Sequence, residues 1–187
     1  MNKQSRVTDA TREAFIDAFF KLAKKKNIQQ ITIREITDLA GYNRTTFYRY
    51  FEDVYALIEY TEDYFLESVR NSLIEQRGNQ EKLNERAFFE TIINCFNQNS
   101  ERISVLMSEQ NRSHFLRRIE ENIPNNIQNI NIDTPKKQII RDIYFYGIFH
   151  AISINMKNKN FLPDEDLLDL IQKLFENWYL PEMTKEP

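Results

Sequence analysis

Between Ile31 and Phe51 the chain carries two helix starts and one helix stop, spaced closely enough to dictate two short helices joined by a tight turn. Thr32 stands three residues before Glu35, the spacing of a capping box in which each side chain satisfies an amide that the first helical turn leaves unpaired. Ile33, Ile36 and Leu39 with Ala40 then form an apolar face. Gly41 follows the last of them, and glycine supplies at little cost the left-handed backbone that stops a helix. Asn43 caps the next helix, expected over residues 44 to 51. Phe47 and Phe51, four apart, turn inward there and leave Arg44, Thr45, Tyr48 and Arg49 on the other side. A longer amphipathic helix precedes the pair. Thr8 or Asp9 caps it, Phe15, Ala18, Phe19, Leu22 and Ala23 share one face, and Lys24, Lys25 and Lys26 close it, where cations complement the helix dipole. Two short helices joined at a glycine behind a packing helix make the skeleton of a helix-turn-helix, whose second helix enters the DNA major groove.

The rest of the chain reads as helix as well. Three glycines and five prolines punctuate 187 residues, and no series of alternating β-branched runs bounded by turn residues suggests a sheet, so the expected class is all-α. A long helix is expected from Asp53 to about Arg77, with Leu57, Ile58, Tyr64, Phe65, Leu66, Val69 and Leu73 available for packing and Gly78-Asn79 ending it. Further helices are expected near 82 to 99, 103 to 109, 111 to 122, 135 to 157 and 164 to 179. An Asn-rich loop bounded by prolines runs from Asn122 to Pro135. The chain divides into a helix-turn-helix domain over residues 1 to 52 and a larger helical body over 53 to 187.

Charge divides at the same place. Residues 1 to 51 hold ten Lys/Arg against five Asp/Glu, a balance of +5, and the remainder holds 15 against 23, a balance of -8. A basic head on an acidic body suits a molecule whose head alone meets phosphates. The single cysteine, Cys95, has no Cys or His companions at zinc-ligand spacing, so neither a disulfide framework nor a metal is expected. Absence of an apolar leader or of an apolar run of about 18 residues points to a cytoplasmic protein away from the membrane. No catalytic residue and no cofactor is expected: the chain lacks a glycine-rich phosphate loop and a His-Glu-x-x-His sequence.

Residues 8 to 60 resemble the DNA-binding head of the tetracycline-repressor (TetR) family of bacterial regulators. The likeness is carried by Ile31-Thr32-Ile33-Arg34-Glu35-Ile36 at the start of the second helix, Leu39-Ala40-Gly41-Tyr42-Asn43 in the turn, and Thr46-Phe47-Tyr48-Arg49-Tyr50-Phe51 in the recognition helix. It implies a homodimer on double-stranded operator DNA, most often a repressor, with a carboxy-terminal body that dimerises and binds a small-molecule effector. By position it implies that Arg34, Arg44, Thr45, Thr46 and Arg49 face base edges, while Thr32, Tyr48 and Tyr50 contact phosphates. Arginine suits guanine and threonine suits thymine in such contacts. One departure is Val54, where many members carry a phosphate-binding lysine; Glu52 and Asp53 beside it repel phosphate.

In the body, Phe88, Phe89, Ile92, Cys95, Phe96, Leu106, Met107, Phe115, Tyr144, Phe145 and Phe149 supply enough surface to line a small-molecule pocket, and equally enough to fill one. Of these, Phe88, Phe89, Ile92, Phe96, Met107, Phe115, Tyr144 and Phe149 are the candidate pocket residues. His114 and His150 are candidates for effector contact or plain structural histidines. The last two long helices carry Ile139, Ile140, Ile143, Phe149, Ile152, Leu167, Leu170, Ile171, Leu174, Phe175 and Trp178, which suit either a four-helix dimer interface or packing within one chain. A helical small-molecule carrier or a protein-interaction adaptor is the alternative reading; discrimination between DNA sequences separates it from a regulator.

Overall fold

A computed structural model describes residues 3–78, 85–122, 132–158 and 161–184. Asn79, the expected helix start at 82 to 84 and positions 123 to 131 of the expected Asn-rich loop lie outside the described residues. All regular structure among those described is helical: α1 (Lys3–Ala23), α2 (Ile33–Ala40), α3 (Arg44–Tyr48), α4 (Val54–Arg77), α5 (Glu85–Gln98), α6 (Ser100–Leu106), α7 (Arg112–Asn122), α8 (Pro135–Lys157), α9 (Asp164–Leu174) and α10 (Leu180–Thr184). A 3-10 turn at Ile28–Gln30 precedes α2, and one π-helical turn at Phe175–Tyr179 joins α9 to α10. No helix of the described residues is long and apolar enough to cross a membrane.

Helix α1 starts earlier than its expected caps. It passes through Thr8 and Asp9 because no glycine or proline interrupts residues 3 to 9, and Asp9 sits inside it, 3.4 Å from the Arg12 guanidinium. It also ends at Ala23, so the three lysines fall just beyond its last turn. Phe15, Ala18 and Phe19 are buried as expected, and Phe15 meets Phe47 edge-on with 5.2 Å between ring centroids. Phe47 in turn lies 5.6 Å from Phe51, and Phe51 5.7 Å from Tyr60 of α4. These rings make the small core on which α2 and α3 rest.

The local signals of α2 and α3 are realised atom for atom. Thr32 Oγ1 accepts the Glu35 amide at 3.3 Å, while the Thr32 amide and hydroxyl donate to Glu35 Oε2 at 3.0 and 2.8 Å. The Lys26 ammonium reaches both carboxylate oxygens at 2.6 Å. Gly41 takes φ 76°, and Asn43 Oδ1 accepts the Thr46 amide at 2.8 Å. Leu39 departs from expectation: it is half exposed, and Thr37 takes the inward place with its hydroxyl on the Arg34 carbonyl at 2.9 Å. Helix α3 stops at Tyr48, short of Phe51, although Phe51 still packs inward.

Asp53 caps α4 by accepting the Ala56 amide at 2.8 Å. This helix runs through one core shared by head and body: Leu57 and Ile58 are buried in the same cluster as Phe15 and Phe47, and Phe65 meets Phe96 and Phe115 at 5.4 and 5.9 Å. Tyr64, expected to pack, is exposed. Glu62, on the buried stripe four residues after Ile58, is wholly inaccessible. Its carboxylate receives Asn111 Nδ2 at 3.0 Å, with His114 Nδ1 at 3.2 Å and Arg118 Nε at 3.1 Å. Helix α6 runs Ser100–Leu106, earlier than the expected 103 to 109, and α9 gives way to the π turn after Leu174, short of the expected 179. There Tyr144 stacks on Tyr179 at 4.2 Å.

Two consequences are measurable. The Lys26 ammonium first, then the Thr32 hydroxyl and amide, hold the Glu35 carboxyl down to about 2. A carboxyl depressed in the folded state contributes stability that is present above its unfolded value and lost as pH falls towards 2. The thermal midpoint of the native chain is therefore expected to fall faster than that of Glu35→Gln as pH drops from 5 to 3; parallel curves would refute the assignment. Burial pushes the Glu62 carboxyl up, against the pull of Asn111, His114 and Arg118, so its ionisation weighs against folding as pH rises through that raised value. Truncation is worse, because Glu62→Ala leaves Arg118 short of its partner, and a loss of about 3 kcal/mol in urea unfolding is expected; a loss below about 1 kcal/mol would place the pair among inconsequential surface contacts.

Candidate nucleic-acid interface

The exposed side of α3 is built by what its other side buries. Phe47 is fully inaccessible, which fixes the rotation of a five-residue helix and leaves Arg44, Thr45 and Tyr48 facing solvent, with Arg49 on the turn after it. Neither Arg44 nor Arg49 has a hydrogen-bond or ion-pair partner among the described residues. Elsewhere in the head several cations are engaged: Lys24 with Glu101 at 2.7 Å, Lys26 with Glu35, Arg12 with Asp9 and with the Tyr60 hydroxyl at 3.1 Å. Arg44 and Arg49 thus keep their full donor sets, and a guanidinium fork matches the O6/N7 edge of guanine.

The other expected contacts divide into free and engaged groups. Arg34 is exposed on α2 and stands 3.6 Å from Asp38, a loose surface pair that competes weakly with a phosphate or base. Thr46 is half-buried and its hydroxyl donates to Asn43 Oδ1 at 2.9 Å, so the cap holds that donor and the methyl is what remains for a thymine. Thr32 has both its amide and its hydroxyl turned onto Glu35, which leaves the next first-turn amides, those of Ile33 and Arg34, as the donors at the start of α2. Tyr48 is exposed with its ring edge-on to Phe47 at 6.0 Å, its hydroxyl free to reach outward. Tyr50 is half-buried, 6.2 Å from Phe15, with the Arg12 guanidinium 5.7 Å from its centroid, so its ring is a packing element. Val54, at the position where a lysine is common, opens α4 and packs against the core.

The structure adds contacts that spacing in the sequence does not signal. Arg102 of α6 grips Glu13 and Asp17 of α1, the latter at 2.9 Å, and Lys24 meets Glu101 beside it. These pairs bridge more than 75 positions of sequence, and they tie the helix behind the recognition unit directly to the body.

The candidate pocket residues are packed together. Phe88 and Phe89 lie edge-on at 5.1 Å, Phe96 is 5.8 Å from Phe149, and Phe89 is 6.3 Å from Tyr144, whose hydroxyl burial and the Glu85 carboxylate hold protonated. Ile92, Met107 and Phe115 are buried in the same cluster. A cleft of about 250 Å³ between α4, α5 and α6 is lined instead by other side chains, among them Tyr64, Ser68, Gln98 and Arg102.

Residues 9–61 match the family described as bacterial regulatory proteins, tetR family. Over 136 residues the chain is 27% identical to the uncharacterized HTH-type transcriptional regulator YxbF of Bacillus subtilis (strain 168), a match covering 73% of this chain and 35% of that protein, so the chain spans about a third of the relative's length. The dihydroxyacetone kinase operon activator DhaS superposes with a TM-score of 0.48 at 16% identity, covering 92% of this chain and 96% of its own. The capped α2, the glycine turn, Arg44 of α3 and Arg49 just after it all fall within residues 9–61, the segment of the chain that is similar to the tetR family of bacterial regulatory proteins.

Proposed function

We propose that the chain is a homodimeric, sequence-specific DNA-binding transcription regulator, a repressor whose head, residues 1 to 52, reads an operator and whose body, residues 53 to 187, dimerises and responds to a small-molecule effector. The observation that carries this reading is the pair of unpartnered arginines, Arg44 and Arg49, presented on and just after a helix whose opposite side is locked by Phe47. Arg44 and Thr45 read base edges, with Arg34 and Arg49 at the flanks; Tyr48 and the first amides of α2 hold phosphates and set the register.

One such helix spans too few base pairs to select a site, so two copies reading two half-sites are required. The body supports that pairing. Helix α8 is apolar on two sides: Ile140, Ile148, Phe149 and Ile152 are buried within the chain, while Ile139, Ile143, Tyr146 and Ile154 stand exposed along the other. Leu170, Leu174 and Trp178 make a similar exposed row on and beyond α9. A helix with an unsatisfied apolar side calls for a partner, and a second copy of the same face is self-complementary under two-fold symmetry. The separation of the two heads then depends on α4 and on the α1–α6 ion pairs, and an effector that favours one body shape shifts operator occupancy.

Selection of bound duplexes from a random pool at physiological salt is expected to yield an inverted repeat. Arg44→Ala is expected to cost about 1–3 kcal/mol of discrimination at one position in each half-site; a pool that stays random with folded protein overturns the operator reading. Sedimentation equilibrium is expected to show a dimer that Ile143→Glu or Leu174→Glu converts to monomer. If both variants remain as dimeric as the parent, the α8–α9 face is not where the copies meet.

A further inference from the structure

Outside the head and the aromatic core, an open cleft of about 400 Å³ lies between α7 and α8, lined by Arg112, Ser113, Leu116, Tyr146 and His150. Its charge is one-sided. The other arginines of these helices are matched to carboxylates: Arg117 to Glu121 at 3.1 Å, Arg118 to Glu62 and Asp63, and Arg141 to Glu120 and Asp142. Arg112 has no such partner among the described residues, and neither has His150. The carboxylate at the cleft's margin, Glu120, accepts the Tyr146 hydroxyl at 3.2 Å and is itself paired with Arg141. Ser113 contributes a hydroxyl, and the positive end of the α7 dipole lies at the same place. The floor is apolar: Leu116 is 5% exposed, and the Tyr146 ring flanks it.

We propose that this cleft binds a small organic acid, its carboxylate held by Arg112 and the His150 imidazole and its apolar part lying over Leu116 and the ring of Tyr146. An arginine fork and a ring N–H are donors suited to a carboxylate, and the volume is that of a small-molecule site. A bare inorganic anion would meet the same donors and leave the apolar floor unused. The adjoining residues give the ligand a route to the head. Asn111 and His114, on either side of Arg112 and Ser113, hold the buried Glu62 of α4, so an occupant that fixes the first turn of α7 bears on the helix that leads to α3. Tyr146 and His150 also lie on the outward side of α8, in the row proposed to meet a second copy, so the cleft opens at that dimer seam. The coupling to operator binding rests on the regulator reading above; binding of the acid does not.

Calorimetry on the full chain separates the two. Benzoate is the probe, inorganic phosphate the comparison, and Arg112→Ala, His150→Ala and Arg117→Ala the variants, each checked for its native thermal midpoint. Benzoate is expected to bind saturably and more tightly than phosphate, with a loss of about tenfold or more in Arg112→Ala, a smaller loss in His150→Ala, and no change in Arg117→Ala. No benzoate heat up to about 10 mM, which is weaker than about 3 kcal/mol of binding, overturns the site, as does equal loss in Arg112→Ala and Arg117→Ala, which marks general charge attraction. Phosphate binding as tightly as benzoate overturns the organic-acid assignment. Operator affinity unchanged at saturating benzoate overturns the coupling through Glu62. A chain that selects no operator fails the regulator reading and leaves the calorimetric result standing.

Discussion

Phe47 is the residue on which the head depends. A five-residue helix has no stability of its own, since nucleation costs more than so few hydrogen bonds return. Burial of that ring against Phe15 and Phe51 converts α3 from a fluctuating turn into a fixed platform. Every side chain proposed to meet DNA is placed relative to it: Arg44 and Thr45 precede it, Tyr48 and Arg49 follow it, and none of them needs a protein partner to hold the helix in place. Geometry is supplied from behind, and chemistry is left free in front.

The rest of the head repeats this separation of duties. Polar groups at the helix starts are consumed locally, Thr32 by Glu35 and Thr46 by Asn43, so the hydroxyls that a family pattern assigns to DNA are already at work in capping. Tyr50 is likewise drawn into packing with Phe15 and Arg12. What remains outward is a short set dominated by arginine; of the carboxylates where head meets body, Glu101 is bound to Lys24, and Glu13 and Asp17 of α1 are bound to Arg102. That arrangement leaves a positive surface at one end of a chain whose net charge is -3.

The head was readable from sequence because its determinants are local. The capping box, Gly41, Asn43 and the four-residue spacing of Phe47 and Phe51 operate within a turn or two, and each appears as read. Leu39 and Tyr64 were misplaced because an apolar residue at the rim of a helical stripe is buried only if a neighbouring element covers it, which periodicity does not report. Glu62 and Arg102 depend on partners 40 or more residues away in sequence, and a charged side chain is ordinarily read as solvated. Glu62 had one signal, its place on the stripe between Ile58 and Phe65. Arg102 had none. The body's aromatic residues were legible as a cluster, but composition alone does not distinguish rings that line a space from rings that fill it.

The π turn at Phe175–Tyr179 sets a limit on the outer surface of the body. Its extra residue per turn throws α10 out of phase with α9, burying Met183 and laying Tyr179 on Tyr144. The exposed row that begins at Leu170 therefore stops at Trp178, a run of about 12 Å at 1.5 Å per residue. The row on α8, from Ile139 to Ile154, extends about 22 Å by the same measure. Two copies meeting on these faces as proposed would slide along a long rail and a short one: α8 would fix the axis of approach, and the shorter row would act as a stop that selects one register along it.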